Sequence, residues 1–435
     1  MFNKVRIFVY RILIFFKRWL INFVANNIGF FFSSLLNYFM FKSGILIVLS
    51  TFLFLGILCS CKREHLPAEY FTPIVDTFSK IYINKGNDEI FSVINSPEGT
   101  FLFTGTTTTL SSGGKDVYIG EIDQNGRLLW SKTIGGAAED GGRDILITPD
   151  NNLLISGYSR SFNINSNFEA YLIKTDRNGN VIWQKTLDAA SSITKMERSN
   201  SNDGYIAVGG TFGWTSNLGR GVFISKLSDS GTIVWSKTYF GPNKNEMANN
   251  FSFDYSGNLM IVASAQDVYP NNDLFVLKTD MNGDTLWSKS IYGNGFEISS
   301  NIVNLDNNNF TICSSSGNVT DPLGITTITN IDNIGNNVIL TSFQSNNPYS
   351  GNWMIKTTDN NLLLTGTQTD SLGNNPCYVK KLDFTGNVIW TKTFGDSLNY
   401  IVHHIMETNN SYIIVGAQNV PTDSTHALII KMKKQ

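Results

Sequence analysis

The sequence predicts an all-β fold, a seven-bladed β-propeller with four antiparallel strands per blade. Three observations lead there. First, six segments follow one pattern, D-x-x-G-x-x-x-W-x-K-T, whose glycines (Gly126, Gly179, Gly231, Gly283, Gly335 and Gly386) are 53, 52, 52, 52 and 51 residues apart. A period of this length marks a chain built from stacked supersecondary units. Second, each period holds four short apolar runs separated by turn chemistry, as in DILIT, PDNN, LLISGY, AYLIKTD, RNGN and VIWQKT. Apolar runs of four to seven residues bounded by Gly, Asn and Asp read as strands. Third, the two chain ends complement each other. The C-terminal ALIIKMKKQ lacks a following tryptophan strand, and the only spare one, DTFSKIYI, stands upstream with Phe78 in the tryptophan position.

Composition agrees with this class. The chain has 435 residues, of which 16% are charged and 12% aromatic, with 37 glycines and 10 prolines. Disorder needs low hydrophobicity and high net charge, so it is excluded. Residues 1–60 carry six of the 33 basic groups and no acid, which leaves 27 basic against 35 acidic groups in the remainder, a net of −8. A mildly acidic body argues against nucleic acid as a partner, since a phosphate backbone needs a basic stripe.

Taken from the N-terminus, residues 1–60 are a targeting region and stay outside the fold. Met40-Phe41-Lys42 forms a short basic opening, and Ile45 to Leu58 is an apolar and small-residue run. That run is short for spanning a hydrocarbon core of about 30 Å. It ends in Leu58-Cys59-Ser60-Cys61, which resembles the lipobox of bacterial lipoproteins. The resemblance implies a signal peptide over residues 40–60 and fatty acyl chains, such as palmitate, on Cys61. Cys59 is a poorer acceptor, because bulky Leu58 precedes it. Residues 1–39, a basic apolar stretch, are read as upstream of the true start at Met40; the alternative is an additional membrane-associated segment. Residues 61–72 are a tether, and residues 73–435 the propeller.

Within the propeller, the glycine three after each Asp supplies the positive φ of a tight hairpin turn. The repeated Asp (Asp123, Asp176, Asp280, Asp332 and Asp383) is expected to cap that turn through its side chain. The in-register Trp130, Trp183, Trp235, Trp287 and Trp390, with Ile339 substituting once, are expected to wedge between blades, each ring buried and its N–H bonded to backbone. The N-terminal strand is expected to close the ring beside Ala427–Met432, leaving no unpaired edge there. In this phasing the tryptophan strand is outermost. Cys313 and Cys377, alone in strand-like runs, read as small buried apolar residues.

The stretch KTIGGAAEDGGRDILITPDNNLLISGYS resembles the bacterial seven-bladed β-propeller repeat family, and the D-x-x-G-x-x-x-W part is similar to the tryptophan-docking repeats of quinoprotein-like propellers. The resemblance covers roughly residues 73–435 and weakens in the fifth segment. It implies fold far more than function, because propellers host unrelated activities.

Antiparallel blades place the outer-to-inner loops and the second-to-third-strand loops on one face, and both sets are long here. Binding residues concentrate on such loops. The candidate binding face is therefore Trp214, Tyr269, Tyr349 and Trp353, the last beginning an inner strand near the channel mouth; local loop packing is the competing role for these side chains. His403 and His404 are adjacent on an inner strand and should point apart. No catalytic-triad motif, HExxH or phosphate loop is present, and no cofactor cage is recognisable. The expected function is a non-enzymatic envelope lipoprotein, without cofactor, catalytic residues or metal, anchored in the outer membrane through its lipid. Its propeller would bind an envelope protein or polysaccharide. The alternatives are an accessory glycan-binding lipoprotein of an outer-membrane transporter, an assembly scaffold, and a degenerate hydrolase or lyase.

Overall fold

Every repeat becomes one sheet because its four β-patterned runs are joined by connections that only antiparallel neighbours can use. The computed structural model describes residues 77–82, 86–109, 111–162, 167–188, 190–211, 219–241, 245–265, 274–291, 296–306, 309–317, 324–345, 353–395, 399–420 and 424–435. Among these lie 28 strands, β1–β28 in chain order, and no helix. They form seven four-stranded antiparallel sheets. Residues 1–39, the signal at 40–60, Cys61, the tether at 61–72 and the first propeller residues lie outside the described residues, as do Trp214, Tyr269 and Tyr349.

The first strand of each blade contacts the first strands of its neighbours, so these seven ring the axis. They are β2 (Asp88–Asn95), β6 (Asp140–Ile147), β10 (Ser192–Arg198), β14 (Glu246–Phe253), β18 (Phe296–Asn304), β22 (Trp353–Lys356) and β26 (Asn399–Glu407). Six outer strands are β5 (Leu128–Ile134), β9 (Val181–Leu187), β13 (Ile233–Tyr239), β17 (Thr285–Ile291), β21 (Asn337–Ser345) and β25 (Val388–Phe394), and all but β21 carry a tryptophan. The seventh outer strand is β1 (Phe78–Tyr82), which pairs antiparallel with β28 (Ser424–Lys433), Phe78 opposite Lys431 and Tyr82 opposite Ala427. The ring therefore closes as the sequence implies, between the two ends of the propeller.

The hairpin chemistry is also as read. Asp176 accepts from the backbone N–H groups of Asn178 and Asn180 through one carboxylate oxygen, at 2.9 and 2.8 Å. Asp123, Asp280, Asp332 and Asp383 repeat the arrangement. The turn glycines have φ between +71° and +91°, the left-handed region that glycine enters without steric cost.

Each glycine has a second task. A Cβ on Gly179 would lie 2.7 Å from Trp130, and one on Gly231 only 2.6 Å from Trp183. Gly283 stands in the same relation to Trp235, and Gly126 to Phe78. The aromatic ring of one blade thus lies on the hairpin of the next, where only a bare α-carbon leaves room. The lysine two residues later clasps the same hairpin: Lys185 donates to the Ser230 carbonyl and Lys289 to the Gly335 carbonyl, both at 2.8 Å, and Lys237 to Asp284 at 2.6 Å. Glycine, tryptophan and lysine of the motif therefore form an inter-blade clasp.

Two details differ from the sequence reading. The tryptophan rings are half-buried rather than enclosed, because the outer strand is an edge open to solvent. Their N–H groups also do not all find backbone: Trp287 donates to the Asn333 carbonyl at 2.8 Å, but Trp130 donates to the Glu121 carboxylate at 2.7 Å. The second difference is Ile339, which does not take the tryptophan's place. Elsewhere the outer strand bulges at the residue just before the tryptophan, as between the Lys278–Trp287 and Thr279–Thr285 pairs. In β21 the bulge moves to Leu340, and Val338 falls opposite Asn330. Val338 and Ile339 are consequently 59% and 61% exposed, while Leu340 and Thr341 meet Gly386 of the following hairpin.

Burial supplies the remaining cohesion. Apolar clusters lie between successive blades, such as Ile206, Val208, Phe251, Ile261 and Leu277. Cys313 and Cys377 are free and buried in two such clusters, as small apolar residues.

Candidate binding site at the channel mouth

The inner strands share an irregularity that sets the site. Six of the seven carry a one-residue β-bulge at equivalent places, at Phe91, Arg143, Thr194, Asn249, Ser300 and His403. A bulge breaks the in-out alternation and re-aims side chains. Three of these residues, from blades seven, one and two, stack in sequence. The His403 ring lies 4.4 Å from Phe91, and the Arg143 guanidinium lies over the Phe91 ring at 4.1 Å. His403 also faces Glu89 at 3.4 Å, and Lys115 reaches Glu89 at 3.7 Å. Burial alone would raise the Glu89 carboxyl, but His403, Lys115 and Arg143 outweigh it and hold it below its ordinary value.

The residue after each bulge, with Trp353 at the same register in the strand that lacks one, belongs to a belt at one level of the ring. Ser92, Asp144, Lys195, Asn250, Asn301, Trp353 and His404 each stand four residues before the residue that opens the inner hairpin turn. Asp144 is the joint of this belt. It accepts from Ser92 Oγ at 2.9 Å and from the Met196 backbone N–H at 3.0 Å, and it pairs with Lys195 at 3.2 Å, so it ties blades one, two and three together. Glu197, two residues past Lys195, lies 3.8 Å from it. Burial pushes the Glu197 carboxyl up, and Lys195 offsets this only in part. Trp353 stacks edge-on against His404 at 4.9 Å, in the channel wall. Burial, with Lys195 adding to it, holds the His404 imidazole down at about 3, so it is neutral. His403 and His404 turn to blades one and six respectively, consistent with two histidines that do not share a ligand. Among the described residues no group of three or more His, Cys, Asp or Glu could hold a metal ion.

Above the stacked residues, on the long-loop side, a cavity of about 240 Å³ opens between blades two, three and four. Glu139, Arg143, Tyr158 and Phe168 form its blade-two wall, where the Tyr158 hydroxyl donates to the Glu139 carboxylate at 3.3 Å, and Ser192, Arg220 and Met247 the opposite side. Tyr158 and Phe168 meet edge-to-face at 5.4 Å; Arg143 also lies over Tyr158 at 5.4 Å and Arg160 over Phe168 at 5.0 Å. Two guanidinium groups against the single carboxylate of Glu139, with an aromatic corner in the same concave site, suit a ligand with anionic groups and a flat apolar face. Trp214 belongs to the same β11–β12 connection as Arg220, between Tyr205–Gly210 and Val222–Leu227, but itself lies outside the described residues. Sequence reading missed the cavity residues. Arg143 and Phe91 sit in runs that look like ordinary strand, and only the bulges turn them inward.

No protein-family profile matches the chain. A segment of 144 residues is 26% identical to an uncharacterized WD repeat-containing protein of Acanthamoeba polyphaga mimivirus, covering 30% of this chain and 10% of that protein. The chain thus spans about a tenth of that curated relative's length. Among solved structures, a protein of unknown function from Dyadobacter fermentans aligns with 83% of this chain and 99% of its own, at 12% identity and a TM-score of 0.49. Drosophila Plexin A in complex with Semaphorin 1b aligns with 82% and 86% of the two chains at 8% identity and a TM-score of 0.48. A putative 6-phosphogluconolactonase from Bacteroides uniformis aligns with 79% and 95% at 10% identity and a TM-score of 0.45. The strands, their pairing and the repeated motif together make this chain a seven-bladed β-propeller repeat protein.

Proposed function

We propose that this propeller is a non-enzymatic binding platform of the bacterial cell envelope, held at the outer membrane by acyl chains on Cys61. Its long-loop face takes an envelope protein or polysaccharide partner that carries acidic groups. The observation supporting the reading is the arginine-walled cavity at the channel mouth. Among the described residues Arg220 has no carboxylate partner, and Arg143 is spread over aromatic faces. A guanidinium so placed favours planar, bidentate recognition of a carboxylate. The Tyr158–Phe168 corner gives the polysaccharide version a specific contact, since an aromatic face accepts the apolar side of a sugar ring.

The test uses the full-length lipoprotein in membranes, with a photo-crosslinker at position 192 in the cavity wall. The wild type should give a discrete adduct that weakens with salt and is lost in the Arg143→Ala/Arg220→Ala variant. An adduct indifferent to both arginines refutes the site. Cys61→Ser should lose labelling by an alkyne fatty acid and leave the membrane fraction; label retained on that variant refutes the anchor.

A further inference from the structure

The seam between blades five and six differs from the other six. Elsewhere an outer-strand aromatic packs against the core of the next blade. Trp130 joins the cluster of Ile173, Trp183 that of Leu227, Trp235 that of Leu277, Trp287 that of Ile331, and Trp390 that of Ile430. Phe78 closes the series against Tyr118 and Ile122. Blade five has no ring at the tryptophan register; its outer-strand aromatic is Phe343, four residues further on, which packs against the Met354, Leu362 and Tyr378 cluster of blade six. Leu340 fills the hairpin end of the seam, and further along it stays open as a second cavity of about 240 Å³.

What lines this opening is not an eroded apolar seam. Lys380, on β24 (Cys377–Leu382), projects into it from blade six. The residues at the same register in the other blades are Gly120, Ile173, Ser225, Leu277, Thr329 and Ile430, all uncharged. The Lys380 ammonium lies 5.3 Å from the Phe343 ring centre and 5.0 Å from that of Tyr378. Among the described residues it has no carboxylate partner, and burial lowers its pKa. Thr326, Ser342, Gln344 and Gln368 complete the wall with hydroxyl and amide groups. Aromatic faces attract an ammonium, but they do not neutralise it. A charged residue at a register that is uncharged in the six other blades marks a site rather than a scaffold position.

We propose that this inter-blade pocket binds a small organic carboxylate, whose anionic group pairs with Lys380 while the hydroxyl and amide groups of the wall orient it. The volume lies below the about 300–1,000 Å³ of drug-sized sites, which selects a mono- or dicarboxylate of few atoms. The site is separate from the long-loop cavity and does not rest on the partner proposed there.

The experiment is calorimetric titration of the full-length protein with succinate and acetate at low ionic strength, with succinamide as the neutral control. Wild type should bind at least one of the two acids saturably and ignore succinamide. Lys380→Ile, which installs the residue blades two and seven carry at this register, should bind at least tenfold more weakly. Should that variant fail to fold, wild-type reductive methylation read by peptide mass gives the second measurement: succinate or acetate should protect Lys380 and leave Lys392 reactive. Equal affinity in Lys380→Ile, or neither saturable binding nor protection by either acid, overturns the proposal.

Discussion

The inter-blade clasp is tested most sharply by adding a single methyl group, Gly179→Ala. Gly179 has φ +76°, and its Cβ would lie 2.7 Å from Trp130 Cζ3 and 3.1 Å from Ile119 Cδ1. Two costs follow. A left-handed backbone costs a non-glycine residue about 1–2 kcal/mol. Overpacking against the ring adds about 1–3 kcal/mol, since Trp130 is pinned at its other end by its 2.7 Å hydrogen bond to Glu121 and cannot swing out freely. The total is about 2–5 kcal/mol. Gly373 separates the two costs, because its φ is +85° yet a Cβ there would meet nothing within 4 Å. Gly373→Ala should therefore cost only the backbone part, about 1–2 kcal/mol. Equilibrium urea unfolding, followed by circular dichroism and tryptophan fluorescence, reads both. In a double-mutant cycle, Trp130→Ala alone should cost about 2–3 kcal/mol, below the about 3–5 kcal/mol of a fully buried tryptophan because this ring is half-exposed. Combined with Gly179→Ala it should recover about 1–3 kcal/mol of coupling. If Gly179→Ala costs no more than Gly373→Ala, or the double variant is additive, the glycine serves the turn alone and the clasp is wrong.

Two further predictions follow from ring closure and the channel belt. Deleting residues 73–84 removes β1, exposes the β28 edge and uncovers Gly126; unfolding should lose cooperativity and the protein should aggregate, whereas an unchanged melting curve refutes the strand's role. The His404 imidazole sits at about 3 in the fold against about 6.5 in the unfolded chain, so the unfolded chain binds more protons between those values. Its contribution is complete above about pH 6.5 and falls with decreasing pH by at most about 1.4 kcal/mol per unit; His404→Gln should flatten the stability profile between pH 6.5 and 5, and an identical slope sinks the assignment.

The blade count and strand phasing were legible because they rest on local chemistry repeated in six segments, and ring closure because the two chain ends complement each other. An Asp that caps a turn and a glycine at positive φ need no tertiary context to be recognised. The bulges were not legible, since inserting one residue into a ladder leaves the apolar pattern almost unchanged. Ile339 shows the consequence: counting from Gly335 puts it in the tryptophan position, but moving the bulge to Leu340 turns it outward. The mouth cavity was hidden for another reason. Arg143, Phe168 and Arg220 lie on different strands and loops, and nothing in their local runs announces that they meet. One signal was available for the belt, the fixed four-residue offset from the inner turn, which places Trp353 at the level of His404.

Seven copies of one blade let the chain serve as its own comparison, and this separates scaffold from site. A register position filled alike in most blades answers a demand the architecture makes everywhere. The turn glycine, the outer aromatic and the clasping lysine are of this kind, and changing one should alter stability. A position whose residues differ from blade to blade is free of that demand. The belt holds Ser92, Asp144, Lys195, Asn250, Asn301, Trp353 and His404, seven residues of six types at one level of a ring. Symmetry would let them all be small and apolar, and burying an ion pair instead costs desolvation that Asp144 must offset through its bonds to three blades. The charge is asymmetric as well, since Asp144, Lys195 and Glu197 all lie on blades two and three, below the Arg143 and Arg220 cavity. The broken symmetry of the belt and that of the mouth thus coincide on one side of the ring, so a partner that docks there meets a polarised sector of the propeller rather than its seven-fold average.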